Sequence, residues 1–153
     1  MDHSEFLRAF ASATTFKTNP FHPLVWILGE PEIGEGVYIG AFTAINANGA
    51  RVRIGDHCDI AAFVAINAAD SHRRCLQLQA EIARLPITLE DHVFVGTHAT
   101  IKGGAHIGHH SVVAAGTVVD GVRVPPFSLV AGNPMTIRPG YYREQYEAAR
   151  AQH

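Results

Sequence analysis

The stretch that decides the fold is residues 87–119, which read, in groups of six, ITLEDH VFVGTH ATIKGG AHIGHH SVVAAG TVV. The third residue of every group is aliphatic: Leu89, Val95, Ile101, Ile107, Val113 and Val119. A period of six fits neither a helix of 3.6 residues per turn nor a plain alternating strand. It fits a solenoid in which each group of six makes one short flat side and one corner.

The other positions of the six-residue group agree with this interpretation. The residue after the aliphatic one is Gly, Lys or Ala in four of the five groups up to Val113, which suits a tight corner. Two places before the aliphatic residue stands a small or β-branched one, which would also point inward because side chains two apart share a strand face. The sequence therefore predicts an all-β solenoid, the hexapeptide parallel β-helix.

The same spacing continues towards the N-terminus. Aliphatic residues follow one another in steps of six, apart from one step of nine after Ile45: Ile27, Ile33, Ile39, Ile45, Ile54, Ile60 and Ile66. Together the two series predict about five three-sided coils of roughly 18 residues, each resting on its neighbours. We assign the β-helix to residues 27–134.

Short helices are predicted outside the repeat. Residues 1–16 form an amphipathic helix that Ser4 can cap, with an apolar face of Phe6, Leu7, Phe10 and Ala11. Residues 1–26 are expected to close the first end of the solenoid, with Leu24, Val25 and Trp26 packed beneath the helix. Residues 135–153 form a C-terminal tail, in which residues 141–152 are predicted to be helical.

A long loop interrupts the repeat. The step from Ile66 to Leu89 is 23 residues, so residues 67–86 leave the solenoid. Loops of this length in a compact domain are usually functional or disordered. Residues 73–84 have a short helical pattern with several apolar side chains. Because the core of the solenoid is already closed, we expect this loop to pack on a neighbouring subunit.

Composition and charge exclude several classes of partner. The formal net charge of −2 gives no attraction to nucleic acid or to an anionic membrane. There is no run of roughly 20 apolar residues and no signal segment, so we expect a soluble cytoplasmic protein without a membrane span. The spacing of Cys58 and Cys75 suggests neither a zinc site nor a disulfide framework, and Cys58 is expected to be a buried hydrophobic residue.

The ten histidines fall into different groups. Four of them lie three residues after an aliphatic core position, where a left-handed corner conformation is expected: His57, His92, His98 and His110. Histidine is enriched in that conformation, so we interpret these four as corner residues that face solvent. His106 and His109 are predicted to lie on the surface. His72 stands off the repeat, at the root of the long loop.

Three segments resemble the hexapeptide-repeat acyltransferases. Residues 86–96, PITLEDHVFVG, are similar to the family's Pro-Ile-x-Ile-Gly-Asp-Asn-Val-Trp-Ile-Gly, and residues 113–119 to its Gly-Ala-Gly-Ser-Val-Val. The closing signature matches Pro125-Pro126 followed by residues 130–134. These are left-handed parallel β-helix enzymes, including sugar O-acetyltransferases and nucleotide-amino-sugar N-acyltransferases. The resemblance covers residues 54–138.

The resemblance implies a catalytic histidine in the loop before the Pro-Ile segment, and His72 is the only histidine there. Acetyl-CoA is an activated thioester, so the chief need is a general base that takes the proton of the acceptor, and histidine suits this role. Asp70 is the nearest carboxylate that could hold the other ring nitrogen. Backbone N–H groups would stabilise the oxyanion.

The resemblance also implies where coenzyme A lies, in the groove between subunits. By position, Thr97, Ala115 and Gly116 would line the pantetheine. The family often has Thr-Lys after its Val-Val pair, where the Lys helps to bind coenzyme phosphate, but this chain has Asp120-Gly121. The remaining basic candidates for the phosphates are Lys102, Arg123 and Arg138. No metal ligand is assigned.

The resulting hypothesis is a homotrimeric, acetyl-CoA-dependent transferase with sites at its subunit interfaces, which acylates a sugar hydroxyl in surface-polysaccharide synthesis. One alternative is N-acylation of a nucleotide-linked amino sugar. A second is a zinc-dependent lyase, in which facing corner histidines from three subunits bind the metal, as in the carbonic anhydrases built on the same solenoid. A third is a non-catalytic assembly subunit. We expect metal to be dispensable.

Overall fold

In the part of the chain that the structure describes, a three-sided parallel β-helix forms the body and three short helices lie outside it. A computed structural model describes residues 1–14 and 18–152. The elements are α1 His3–Ala13, β1 Trp26–Leu28, β2 Glu32–Ile33, β3 Tyr38–Ile39, β4 Ala44–Asn46, β5 Val52–Ile54, β6 Asp59–Ile60, β7 Ala65–Asn67, β8 Ala69–Asp70, α2 His72–Cys75, β9 Ala83–Arg84, β10 Ile87–Leu89, β11 Phe94–Val95, β12 Thr100–Lys102, β13 His106–Ile107, β14 Val112–Val113, β15 Val118–Val119, β16 Arg123–Val124, β17 Leu129–Gly132, β18 Met135–Arg138 and α3 Arg143–Arg150.

Three stacked sheets form the sides of the helix. Sheet A has the order β1-β4-β7-β12-β15, and sheet B the order β2-β5-β10-β13-β16. Sheet C has the order β3-β6-β11-β14-β17, and β18 adds to it antiparallel to β17. Each coil contributes one strand to each sheet, which gives five coils. The predicted solenoid and its number of coils are therefore confirmed.

The six-residue repeat forms the core. Its aliphatic residues stack coil on coil, as in the register Ile45↔Ile66 and Ile66↔Ile101. From Ile39 to Val130 they are at most 2% exposed: Ile39, Ile45, Ile54, Ile60, Ile66, Leu89, Val95, Ile101, Ile107, Val113, Val119, Val124 and Val130. Cys58 is buried among them, as predicted. The inward hydroxyl of Thr43 donates to the Ala61 carbonyl at 2.9 Å, so this buried polar group is satisfied.

The corner histidines have the backbone conformation that their spacing predicts. His57, His92, His98 and His110 all have φ between 54° and 59°, in the left-handed region. Their rings stack from coil to coil. A ladder, which we call the corner ladder, consists of His57, His92, His110 and Phe127, with centroid separations of 5.1, 4.7 and 5.1 Å. Stacking along the solenoid axis therefore adds to the corner preference of histidine.

His106 and His109 are less exposed than predicted. Both lie partly buried beside Glu90, at the turn between sheets B and C. His106 Nε2 is 2.7 Å from Glu90 Oε1, and the backbone N–H of His109 donates to Glu90 Oε2 at 2.9 Å. Both residues lie on the outer side of the coil, as predicted, and Glu90 holds them against it so that they are only partly exposed.

The N-terminal helix differs from the prediction in its cap and its length. Asp2, not Ser4, is the N-cap, because its side chain accepts from the Glu5 N–H at 2.7 Å while Glu5 accepts from the Asp2 N–H at 2.8 Å. The helix ends at Ala13. Residues 15 and 16 of the predicted helix lie outside the described residues.

Phe21 also covers the first coil, where it packs against the core beside Ile27 and Ile33. Val25 is fully buried, as expected. Trp26 lies on the outer side of sheet A, in register with Ala44. Its packing beneath the N-terminal helix stays a prediction.

The long loop and the C-terminal tail are also more extended than predicted. The predicted helical stretch 73–84 contains only the end of α2, because Ala83–Arg84 pairs antiparallel with Ala69–Asp70. The tail begins with β18, and α3 spans Arg143–Arg150, not 141–152. Within residues 1–14 and 18–152 no helix is long and apolar enough to cross a membrane.

Candidate active site

The root of the long loop is held in a fixed geometry. β8 and β9 pair as Ala69↔Arg84 and Asp70↔Ala83, which brings the two ends of the loop together. The Leu85 N–H donates to the Ala68 carbonyl at 3.0 Å, and the Arg84 guanidinium donates to the Asn48 carbonyl. His72, the first residue of α2, is therefore attached to the solenoid through an ordered base.

His72 and Asp70 form a hydrogen-bonded dyad. His72 Nδ1 lies 2.6 Å from Asp70 Oδ1, and the same oxygen accepts the backbone N–H of His72 at 3.0 Å. The hydrogen bond from the His72 side chain, followed by the one from its backbone, lowers the pKa of the Asp70 carboxyl below its ordinary value. Because an ionised carboxylate can only accept, Nδ1 carries the proton and Nε2 of a neutral ring has a free lone pair.

A cleft of about 820 Å³ opens beside this dyad. The side chains of His72 and Asp70 are 64% and 47% exposed, so a substrate can reach them. The volume falls within the range of roughly 300–1,000 Å³ that is usual for small-molecule sites. Loop and solenoid both line the cleft, through Asn67, Ala68, Ala69, Asp70, Ser71, His72, Cys75, Ala83, Leu85, Thr100, Lys102, Gly103 and Gly121.

A charged pair lies on the solenoid side of this cleft. Lys102 ends β12, and its Nζ is 2.8 Å from Oδ1 of Asp120, which follows β15 in the next coil. The prediction considered Lys102 only as a phosphate ligand and did not pair it with Asp120. Their spacing of 18 residues, one full coil, was the signal in the sequence that could have revealed the pair.

Gly121 lies where two coils approach closely. A Cβ on Gly121 would lie 2.6 Å from the Gly103 carbonyl oxygen of the coil before. Such a contact is shorter than van der Waals packing allows. The coils therefore approach too closely here for any side chain at position 121.

The predicted pantetheine residues lie at another corner, between sheets C and A. Thr97 and Gly116 are joined there by a 2.9 Å bond from the Gly116 N–H to the Thr97 carbonyl, and the Thr97 hydroxyl donates to the Ala62 carbonyl at 2.7 Å. Ala115 and Gly116 are exposed. From Thr97 to Lys102 the chain turns at His98 and then crosses sheet A, a span of at most about 16 Å for five residues at 3.3 Å each. One chain alone does not bring this corner to His72.

The three basic candidates for coenzyme phosphate lie on different sides of the molecule. Lys102 faces the cleft, and Arg123 is exposed on the outer side of sheet B. Arg138 lies on β18, with its Cζ 5.9 Å from the centre of the Tyr141 ring. These three side chains do not form one phosphate site within a single chain.

The corner histidines are arranged for stacking. Within residues 1–14 and 18–152 no three His, Cys, Asp or Glu side chains are grouped so that they could hold a metal ion. The ring planes of His57 and His92 are 21° apart, close to parallel. The zinc-lyase alternative, which places the metal between subunits, stays an alternative hypothesis.

Comparison with known proteins places this geometry in a family. A model described as "Hexapeptide repeat of succinyl-transferase" matches residues 86–121. A hexapeptide-repeat-containing acetyltransferase of Vibrio cholerae, solved with acetyl-CoA, is 30% identical and superposes with a TM-score of 0.70 over 90% of this chain and 76% of that one. The chain belongs to the hexapeptide-repeat acyltransferase family.

Two curated proteins match a shorter part of the chain. A putative acetyltransferase of Saccharomyces cerevisiae is 38% identical over 69% of this chain and 57% of its own length. The galactoside O-acetyltransferase of Escherichia coli is 34% identical over 56% of this chain and 42% of its own length. The chain thus spans about half the length of the curated relatives it matches.

Proposed function

We propose that this chain is an acetyltransferase that moves the acetyl group of acetyl-CoA to a hydroxyl of a sugar. The observation that carries the proposal is the His72–Asp70 dyad in an open cleft, on a loop that leaves the repeat. Family membership supports the acyl transfer, and the V. cholerae relative was solved with acetyl-CoA. The galactoside O-acetyltransferase among the relatives supports a sugar hydroxyl as the acceptor.

The dyad can perform the proton transfers of this reaction. Nε2 of His72 accepts the proton of the acceptor hydroxyl as its oxygen attacks the thioester carbonyl carbon. The tetrahedral intermediate collapses, the carbon–sulfur bond breaks, and the imidazolium returns the proton to the leaving thiolate. Asp70 holds Nδ1 throughout and stabilises the positive charge of the ring. A positioned general base of this kind is typically worth about 10²–10⁴-fold in rate.

The proposal includes a trimer. The pantetheine corner lies before the strands of sheet A, and the His72 cleft lies after them, so the two halves of the site are at opposite ends of these strands. In a closed ring with one type of interface, the Thr97–Gly116 corner of one subunit would face the His72 cleft of the next. The pantetheine would then lie along Thr97, Ala115 and Gly116. Exposed apolar side chains at both edges, among them Phe42, Phe63, Leu76 and Leu78, support an interface there.

Two parts of the earlier hypothesis stay predictions. The exposed thiol of Cys75 fits the reducing conditions of the cytoplasm, the location that the sequence predicts. A role in surface-polysaccharide synthesis depends on the acceptor, which the fold does not specify.

The direct test is to incubate purified protein with acetyl-CoA and a panel of sugars and amino sugars, and to identify the products by mass spectrometry. We expect an O-acetylated sugar. The variant His72→Ala should lower kcat by about 10²–10⁴-fold. Its KM for acetyl-CoA should change little, because the lost interaction is made in the transition state.

The matched control is His92→Asn, which keeps a residue suited to the left-handed corner. We expect near-normal kcat for this variant. If His72→Ala kept a normal kcat while His92→Asn lost its turnover, the general base would be assigned to the wrong histidine. Absence of acetyl transfer to every acceptor would exclude the proposed function and favour a non-catalytic subunit.

A further inference from the structure

Lys102 lines the same cleft as the dyad, and Asp120 is its ion-pair partner. Lys102 projects from the end of β12 into the cleft, and Gly121, the neighbour of Asp120, lines it too. The hydrogen bond to Asp120 raises the pKa of Lys102 above its ordinary value. Lys102 therefore brings a charged donor to the surface that carries His72, and the Asp120 carboxylate, a charged acceptor, lies 2.8 Å from it.

We propose that Lys102 and Asp120 bind the acceptor, not coenzyme A, and that they select a neutral polyhydroxylated acceptor. This inference rests on the proposed function. Adjacent sugar hydroxyls each donate and accept, so a pair with one donor group and one acceptor group can bind both. Asp120 already pairs with Lys102, which leaves this lysine less free to bind a coenzyme phosphate.

The charges around the cleft favour a neutral acceptor. A nucleotide diphosphate is usually bound by cations that are free to pair with its oxygens. Lys102 is the one Lys or Arg on the cleft walls among the described residues, and Asp120 already neutralises it. On the loop, Arg73 donates to Gln79 at 3.1 Å, and Arg74 lines a separate small cavity with Glu81. Among the described residues that line the cleft, a nucleotide-linked amino sugar would therefore meet no cation that lacks a carboxylate partner.

The test compares methyl galactoside, a neutral probe, with UDP-glucosamine, a nucleotide-linked amino sugar. Wild type should have the higher kcat/KM for methyl galactoside. Lys102→Met removes a charged donor, so it should raise KM for methyl galactoside about tenfold or more. Its KM for acetyl-CoA should be unchanged. Asp120→Asn keeps the shape of the side chain but leaves the Lys102 charge unpaired. It should therefore raise kcat/KM for UDP-glucosamine relative to kcat/KM for methyl galactoside.

The matched control is Arg53→Met, which removes an exposed cation from sheet B. It should change neither KM. A Lys102→Met variant with raised KM for acetyl-CoA and unchanged KM for methyl galactoside would overturn the assignment. The assignment would also be overturned if wild type preferred UDP-glucosamine and Asp120→Asn did not change that preference.

Calorimetric binding of both probes to wild type and Lys102→Met repeats the comparison without turnover. If no transfer occurs but methyl galactoside binds in a Lys102-dependent way, the proposed function fails while the acceptor assignment stands. If His72-dependent transfer occurs but binding of methyl galactoside is indifferent to Lys102, this inference alone fails.

Discussion

Asp70 is the last residue of β8, and His72, two positions later, is the first residue of α2. Asp70 accepts from both the ring and the backbone of His72, so one carboxylate oxygen fixes the start of the helix and the orientation of the imidazole. The lowered pKa of Asp70 keeps that carboxylate ionised at neutral pH. Asp70 therefore sets the tautomer of the His72 ring that general-base catalysis needs.

The variant Asp70→Asn tests whether Asp70 sets the tautomer of the His72 ring. An amide can offer either an oxygen or an NH₂ group to Nδ1, so the ring should no longer be held in one tautomer. We expect kcat to fall by about 10²-fold, with little change in KM for acetyl-CoA. Nitrogen-15 NMR of the His72 ring should show a proton mainly on Nδ1 in wild type and a mixture of tautomers in the variant.

Asp59→Asn, which changes an exposed carboxylate on sheet C, is the control for Asp70→Asn and should affect neither readout. A drop in kcat without any change of tautomer would mean that Asp70 has some role other than orienting the ring.

At the scale of elements, α3 packs on the corner ladder. The Tyr146 ring meets His110 edge-on at 4.6 Å between centroids, and Arg143 lies 4.6 Å over the Phe127 ring. Burial lowers the pKa of His110 below its ordinary value, and the nearby His92, His109 and Arg150 lower it further, while Asp91 opposes them. The packing of α3 therefore depends on a neutral His110.

This packing predicts a loss of stability in mild acid. Because the pKa of His110 is lower in the folded state, the unfolded chain takes up the proton first. His110 thus contributes fully to stability above its unfolded pKa of about 6.5, and the contribution falls as the pH drops from there to the folded pKa. The variant His110→Phe cannot be protonated, and Phe127 has the same left-handed conformation in the next coil. Between neutral pH and a pH of about 5, the melting temperature of His110→Phe should fall less than that of wild type.

His98→Phe is the matched control for His110→Phe. It makes the same change at the corner between sheets C and A, where His98 stacks on Phe63 at 5.0 Å. It should leave the acid dependence of the melting temperature as in wild type. An equal acid-induced fall in His110→Phe and wild type would contradict the role given to His110.

At the scale of the whole molecule, exposed apolar residues mark two edges of sheet A. Leu76 and Leu78 of the long loop are 64% and 61% exposed, and the stacked rings of Phe42 and Phe63 are 55% and 50% exposed. A single chain covers neither set. A cyclic trimer that places one set on the other would bury both and complete the proposed site.

Light scattering of the purified protein should therefore give about three times the chain mass of 16.5 kDa. The double variant Leu76→Asp and Leu78→Asp should dissociate into folded monomers, because charges on the loop cannot be buried in the interface without partners. Acetyl transfer should be lost with the trimer.

Tyr38→Asp is the control for the loop variant, since Tyr38 is 61% exposed on sheet C, away from the predicted interface. It should stay trimeric and active. A wild-type protein that is a single species of 16.5 kDa would exclude the trimer and the shared site together.

The sequence by itself determined the solenoid. A strict six-residue period places one aliphatic side chain per side at the axis, so Ile101 or Val113 can be assigned to the core without any knowledge of the neighbouring coils. The corner conformation of His92 follows from the same count. His72 stood out because it breaks the repeat. Periodic features are readable because each coil makes the same contacts as the one before it.

Only the tertiary structure decided which polar side chains meet between coils and across the loop. The pairing of Asp70 with Ala83 replaced a predicted helix by a strand, because hydrogen bonds between the two ends of the loop outweigh a weak local helical pattern. The contact of Lys102 with Asp120 depends on the pitch of one coil, and the close approach at Gly121 depends on how tightly two coils stack. Such contacts join residues far apart in the chain, so local propensity does not determine them.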